Sequence, residues 1–346
     1  MSTKGIYIYG FVPNFYSTDM FRSFENSGIY VIPFQNISAI VSDRENEVLD
    51  FSDRELLGNL LIHHQKTIED LMAKGFNMLI PMRLATILNT KEEVINILAK
   101  GYNLIIETLK KIEFLIEIDI AVTWADISGI ILETAMHPEI IELKQEILEK
   151  SNNLSQIDQV KIGMLIQEKL DKKNKEIELN ILDSLAQISI DIKTHEVMND
   201  QMITNSAFLI NRNNLENFEH AIDKLDENYK GLLNFKLIGP LPCYSFYTIE
   251  FKVLNPENIE QGGKELGLNK ETTESEIKRA YLEKAKLFHP DSNMENNSEE
   301  NFNKINKAYH TLLDYSFASK QSNKEELIFL TKERVIENLI LVKIKD

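Results

Sequence analysis

The sequence predicts an α+β protein: two small α/β sandwich domains joined by a long helical segment, with a helical hairpin toward the C-terminus. Three observations carry that expectation. Runs of alternating apolar residues interleave with amphipathic helix-length segments in two separate stretches. Between them lies a charged, glycine-poor stretch with helical spacing. After the second comes a pair of amphipathic segments broken by a His-Pro stop.

Composition bounds the possibilities. A chain of 346 residues is long for one hydrophobic core, so more than one domain is expected. With 43% hydrophobic and 27% charged residues it has the balance of a folded globular protein. Lys and Arg number 38 against 54 Asp and Glu, a net charge of -16, which argues against nucleic acid and against an anionic membrane surface. A basic or hydrophobic protein partner remains compatible. Cys243 is the only cysteine, so no intrachain disulfide can form. Met1 to Gly10 lacks a basic region followed by an apolar run. The greasiest stretch, Ile105 to Val122, is broken by Lys110, Lys111, Glu113 and Asp119 and falls short of the about 18 apolar residues a membrane helix needs. A cytoplasmic chain without a membrane partner is the expectation.

Taking the elements in order, Gly5–Val12 alternates Tyr, Ile and Phe as a first strand, a short helix over about 17–25 follows, and Gly28–Phe34 and Ile37–Ser42 read as two more strands. Ser52 and Glu55 form a capping box that opens a helix ended by Gly75. Phe76–Pro81 reads as a strand, Thr90 and Glu93 cap a helix to about Ile112, and Leu115–Trp124 closes the segment as a strand. This order suggests a sandwich of the ferredoxin-like kind over 1–130. From Pro138 to about Ile192 the pattern is helical, either a packed hairpin or an exposed arm that docks on a partner, within a helical segment over 131–200. A second strand–helix–strand–strand run follows: Ala207–Asn211, Leu215–Leu225, Leu232–Ile238 and Tyr244–Lys252. Gly239-Pro240-Leu241-Pro242 makes the rigid corner between its last two strands. Asn255–Gly263 reads as a linker, and the apolar run Leu339–Ile344 as a last strand, so 201–255 plus 330–346 would form the second α+β domain.

The clearest motif lies in 260–320. Thr273 and Glu276 make a third capping box; Ile277, Tyr281 and Phe288 mark one helical face; His289-Pro290 stops the helix; and Phe302, Ile305, Tyr309 and Leu312 form the answering face of the next. Over about 50 residues this order resembles the J-domain of DnaJ-type co-chaperones. The resemblance implies that His289, Pro290 and Asp291 form the loop engaging a DnaK-type ATPase, with Lys278, Arg279 and Lys286 as the basic face of the preceding helix. Two departures stand against it. Glu283 adds an acidic charge to that helix, and Ser316-Phe317-Ala318 replaces the family's basic stretch after the second helix.

The remaining chain resembles the gas-vesicle protein L/F family. The matching runs are Ile6-Tyr7-Ile8-Tyr9-Gly10, Ile37 to Ser42, Met78-Leu79-Ile80-Pro81-Met82-Arg83, Asn205 to Ile210 and Gly239-Pro240-Leu241-Pro242-Cys243-Tyr244-Ser245-Phe246. Leu84-Ala85 replaces the family's Phe-Gly, a departure that relaxes a turn. The resemblance implies a gas-vesicle assembly protein, a minor component or chaperone whose partners are the small hydrophobic shell protein and other assembly proteins. Pro81, Met82 and Arg83, and Pro240, Pro242, Tyr244 and Phe246 at the corner, are the candidate shell-protein contacts. The alternative is a DnaJ-type co-chaperone.

Enzyme readings find no support in the motifs. Adjacent His63 and His64 point about 100° apart on a helix and do not chelate one metal together. Asp119, Trp124 and Asp126 bring carboxylates near one strand end without a nucleophile or metal set. No phosphate-binding glycine loop, nucleophile elbow or zinc spacing occurs. No catalytic residue, metal or cofactor is expected.

Overall fold

The computed structural model describes residues 4–16, 28–45, 54–150, 153–288, 298–322, 327–335 and 340–345. The chain forms two compact units, one of residues 1–111 with 247–346 and the other of 112–246. It is an α+β protein; no described helix is long and apolar enough to cross a membrane. The helix expected over about 17–25 and the Ser52 cap lie outside the described residues.

The first unit begins with β1 (Lys4–Pro13), β2 (Ile29–Phe34), β3 (Ile37–Glu45), α1 (Arg54–Ala73), β4 (Ile80–Pro81), β5 (Ile87–Leu88) and α2 (Lys91–Ile112). β1 pairs antiparallel with β3, β4 and β5, and β3 with β2, giving the order β2-β3-β1-β4. Tyr7, Ile8, Tyr9 and Phe11 of β1 are all buried, as a central strand's side chains must be. The strand expected from Phe76 is shorter, because Phe76 N–H still donates to Leu71 O and closes the end of α1. Thr90 caps α2 through Glu93 N–H at 3.2 Å, as its spacing requires.

The second unit comprises β6 (Leu115–Trp124), α3 (Ile127–Ala135), α4 (Pro138–Lys150), α5 (Gln156–Ala186), β7 (Asp191–Thr194), β8 (Met202–Asn211), α6 (Leu215–Tyr229), β9 (Leu233–Leu241) and the single turn α7 (Tyr244–Tyr247). Here the structure departs from the expectation that 115–124 closes the first segment. β6 is a central strand between β8 and β9 in the order β7-β8-β6-β9. Its local pattern specifies a strand, but pairing is decided by partners 79 to 124 residues away. Ile116, Ile118, Ile120, Val122 and Trp124 line one face and pack with Leu170, Ile181, Phe208, Phe218 and Ile222. α4 and α5 form the packed hairpin, tied by Lys169–Glu139 at 2.5 Å. A capping box of Ser155 and Asp158 opens α5; the pattern sought Glu or Gln at that position, and Asp serves.

The chain then returns to the first unit with β10 (Ile249–Val253), α8 (Pro256–Leu266), β11 (Glu271–Thr273), α9 (Glu274–Phe288), α10 (Ser298–Ser322), β12 (Leu327–Phe329), α11 (Lys332–Val335) and β13 (Ile340–Ile344). The expected linker at 255–263 is α8, capped by Asn255 and ended by left-handed Gly267. Its Gly262 and Gly263 are contact points: a Cβ at Gly263 would lie 2.8 Å from Leu330 Cδ1. Close approach, not flexibility, explains that glycine pair. β13 is the expected last strand, yet it pairs with β10, not with the β7-β8-β6-β9 sheet. The strand expected over 244–252 splits, since Tyr244–Tyr247 makes a helical turn before β10. α8, α9 and α10 share a core of Ile259, Leu266, Ile277, Ile305, Leu312 and Tyr315, closed by Ile328 and Leu341.

Candidate partner-binding surfaces

The corner of the second unit is held from beneath by a buried carboxyl. Gly239 has φ 143° and its peptide to Pro240 is cis. A Cβ there would stand 2.9 Å from Glu117 O, so only glycine lets β9 pass β6 at that bulge. Ser245 then donates its backbone N–H to Glu117 Oε2 at 2.8 Å and its hydroxyl to Oε1 at 2.8 Å. His195 Nε2 lies 3.2 Å from the same hydroxyl. Burial, then the charge of Asp119, pushes the Glu117 carboxyl up to about 8. Burial also raises Asp119. The Cys243 thiol is driven by burial to about 12 and stays protonated at neutral pH. Of the corner residues proposed as contacts, Pro242 and Phe246 are buried, Tyr244 is half-buried and Pro240 is exposed.

The sequence shows Glu117 only as a polar position alternating with Asp119 in the strand, while Asp119, Trp124 and Asp126 are the residues weighed for chemistry. The last two serve elsewhere: Trp124 Nε1 donates to Asn174 Oδ1 at 2.8 Å, and Asp126 caps α3 through Gly129 N–H at 3.0 Å. The signal was present in Glu117 and Asp119 at i and i+2, which share a strand face.

The Pro81-Met82-Arg83 segment belongs to the first unit. Pro81 and Met82 are buried, and Met82 N–H donates to Tyr9 O at 2.8 Å. Arg83 N–H donates to Ile249 O at 2.8 Å, while its exposed guanidinium meets Glu250 at 3.1 Å. Ala85, where the related pattern has glycine, sits at φ 65°. The turn keeps its left-handed conformation although its residue carries a Cβ. Nearby, Tyr7 OH lies 2.8 Å from His64 Nδ1 and Tyr9 OH 3.2 Å from His63 Nε2. Burial, with a lesser contribution from His63, pushes His64 down to about 4. Of the two adjacent histidines, His64 is the inward one.

α9 presents Lys278, Arg279 and Lys286 on its exposed side, with Leu282 among them. Thr273 and Glu276 form the expected box at its start: Thr273 N–H donates to Glu276 Oε2 at 2.9 Å and Glu276 N–H to Thr273 Oγ1 at 3.3 Å. Tyr281 stacks on Tyr309 of α10 at 4.0 Å between ring centroids. Lys278 and Lys320 both contact Glu274 at 2.5 Å and hold its carboxyl down at about 2. His289, Pro290 and Asp291 lie outside the described residues.

Residues 5–248 match the family described as gas vesicle synthesis protein GvpL/GvpF, and residues 264–318 match the DnaJ domain. The chain is 22% identical over 249 residues to gas vesicle protein F of a Nostoc species, covering 71% of this chain and 99% of that one. The crystal structure of GvpF from an Anabaena species superimposes with a TM-score of 0.56 at 23% identity, covering 70% of this chain and 97% of that one, which establishes a shared fold. Over 49 residues the chain is 53% identical to the chaperone protein DnaJ of Limosilactobacillus reuteri, 14% of this chain and 13% of that one.

Proposed function

The chain belongs to the GvpL/GvpF family of gas vesicle synthesis proteins, and from that premise we propose that it is a cytoplasmic, non-enzymatic assembly factor that binds the small hydrophobic shell protein and delivers it to a DnaK-type ATPase. The observation that carries this reading is the presence of two modules in one chain. A DnaJ-domain match over residues 264–318 follows the family match over residues 5–248 in the same chain. A shell protein exposes apolar surface before assembly, and a soluble acidic holder that covers it limits aggregation. The charge of -16 keeps the holder itself soluble. Other assembly proteins are further partners; nucleic acid and membrane are not.

The exposed basic side of α9 supports a second role for the same chain as a DnaJ-type co-chaperone, with Lys278, Arg279, Lys286 and the His289-Pro290-Asp291 loop making the contact. Co-expression with the shell protein tests the main reading. Recovery of a soluble complex, retained in His289→Gln, supports shell-protein holding by the family region with ATPase recruitment as a separate step. An insoluble shell protein with and without this chain would sink it.

A further inference from the structure

The four-stranded sheet of the second unit ends on β9. Ala125 N–H donates to Leu232 O at 2.9 Å, while Trp124 N–H turns the other way, to Gln201 O at 2.9 Å. From there the β6–β9 register runs unbroken, from Trp124 opposite Leu233 to Asp119 opposite Ile238. In an antiparallel ladder, bonded pairs alternate with non-bonded ones. Asn234, Lys236 and Ile238 therefore turn their backbone groups to β6, and Leu233, Phe235 and Leu237 turn theirs outward. Those outward groups have no backbone partner among the described residues.

Sheet edges are ordinarily blunted by shortness, charge or proline. The opposite edge, β7, follows that rule: it has four residues, with Asp191 and Lys193 among them. β9 does not. Over 233–238 its one charge is Lys236, and Pro240 comes only after that stretch. Asn234, Lys236, Leu237 and Ile238 are all exposed, so the edge is open to solvent.

The edge is complementary to itself in one register. Two antiparallel copies centred on Phe235 set Leu233 opposite Leu237 and Phe235 opposite its own copy. All three outward residues then exchange N–H and C=O, giving about six hydrogen bonds. Lys236 falls opposite Asn234. A register centred on Lys236 would set two ammonium groups face to face, a destabilising pair, and one centred on Asn234 would leave Leu237 without a strand partner. The core face is extended as well. Leu233 is buried and Phe235 packs on the core, whereas Leu237 is 40% exposed until Leu233 of a second copy lies across from it.

We propose that β9 is a self-pairing edge, along which two copies of this chain join antiparallel over 233–237 about a two-fold axis at Phe235. The two sheets become one continuous sheet, and the contact closes on itself, so assembly through it stops at the dimer. This pairing goes beyond the shell-protein reading and does not depend on it.

The test is sedimentation equilibrium of the full chain at about 100 µM in about 0.3 M NaCl, which screens the repulsion between copies of charge -16. The wild type is expected to be a dimer. Leu237→Pro removes an outward N–H and no bond to β6, the placement in which an edge strand accepts proline. Leu237→Asp keeps the N–H and sets a charge across from buried Leu233. Each should dimerise at least tenfold more weakly while keeping the wild-type far-UV circular dichroism; if Leu237→Pro alone loses that spectrum, Leu237→Asp decides. Leu132→Ser, altered at an exposed residue of α3, should dimerise as the wild type does. A monomeric wild type would overturn the pairing and leave the edge to a strand of another protein. A dimer that survives in folded Leu237 variants, or that Leu132→Ser weakens equally, would overturn it too.

Discussion

Ser245 grips Glu117 twice, through its backbone N–H and its hydroxyl, each at 2.8 Å, across 128 residues of sequence. This joins the corner after β9 to the centre of the sheet. Ser245→Ala removes one of the two donors from a buried carboxyl that has few alternatives. The expected loss is about 1–3 kcal/mol, read as a lower midpoint in urea with an unchanged slope. An unaltered midpoint would mean that the hydroxyl contact is dispensable.

The same carboxyl makes stability depend on pH in a defined direction. Glu117 titrates near 8 in the folded chain against its ordinary 4.5. Its folded form therefore binds a proton that the unfolded chain releases. The associated stability is complete below about 4.5 and declines as pH rises to about 8. Glu117→Gln keeps the shape and cannot titrate, so the difference in unfolding free energy between variant and wild type should grow in the variant's favour across that window. A difference that stays flat with pH would contradict the shift.

His64 gives the opposite slope. Its pKa is lowered from 6.5 to about 4 by burial, so the unfolded chain takes up the proton first. Its contribution is intact above about 6.5 and is lost as pH falls toward 4. His64→Gln should be less stable at neutral pH, lacking the ring packed on Tyr9 at 5.6 Å, and should lose less on acidification. Parallel acid profiles of the two proteins would refute this.

Ala85 carries a side chain at φ 65°, where glycine is free of steric cost. Ala85→Gly should stabilise the folded chain by about 0.5–1 kcal/mol, the left-handed penalty of the alanine exceeding the extra entropy of glycine. Thermal unfolding checks the sign, and a lowered midpoint would count against it.

Gly101 reverses the usual helix rule. In an open helix, Ala for Gly gains about 1 kcal/mol. Here a Cβ would lie 2.8 Å from Val342 Cγ1 of β13, and valine's branched side chain has little room to turn. Gly101→Ala is expected to destabilise by about 1–3 kcal/mol and to increase amide exchange in β13 and β10. A gain in stability would show that β13 is loosely held.

Most strand and helix locations were legible because they depend on local period. The alternation of Gly5–Val12 and Leu115–Trp124 and the caps at Thr90 and Thr273 all correspond to elements found. The errors occurred where one residue type has two physical uses. Gly262 and Gly263 read as a linker but serve close packing, and Tyr244–Tyr247 reads as strand but turns as a helix. The surfaces were less legible still. Met82 and Phe246 look like available contacts in the sequence and are buried.

By itself the sequence determined the class, the two modules and the family resemblance, since period, capping and motif order are properties of neighbouring residues. Only the tertiary structure decided that β6 joins β8 and β9, that β13 returns to β10, and that Glu117 lies under Ser245. Strand pairing and burial are set by contacts between residues far apart in the chain. Their free energy depends on which surfaces meet after folding, so no local pattern specifies them.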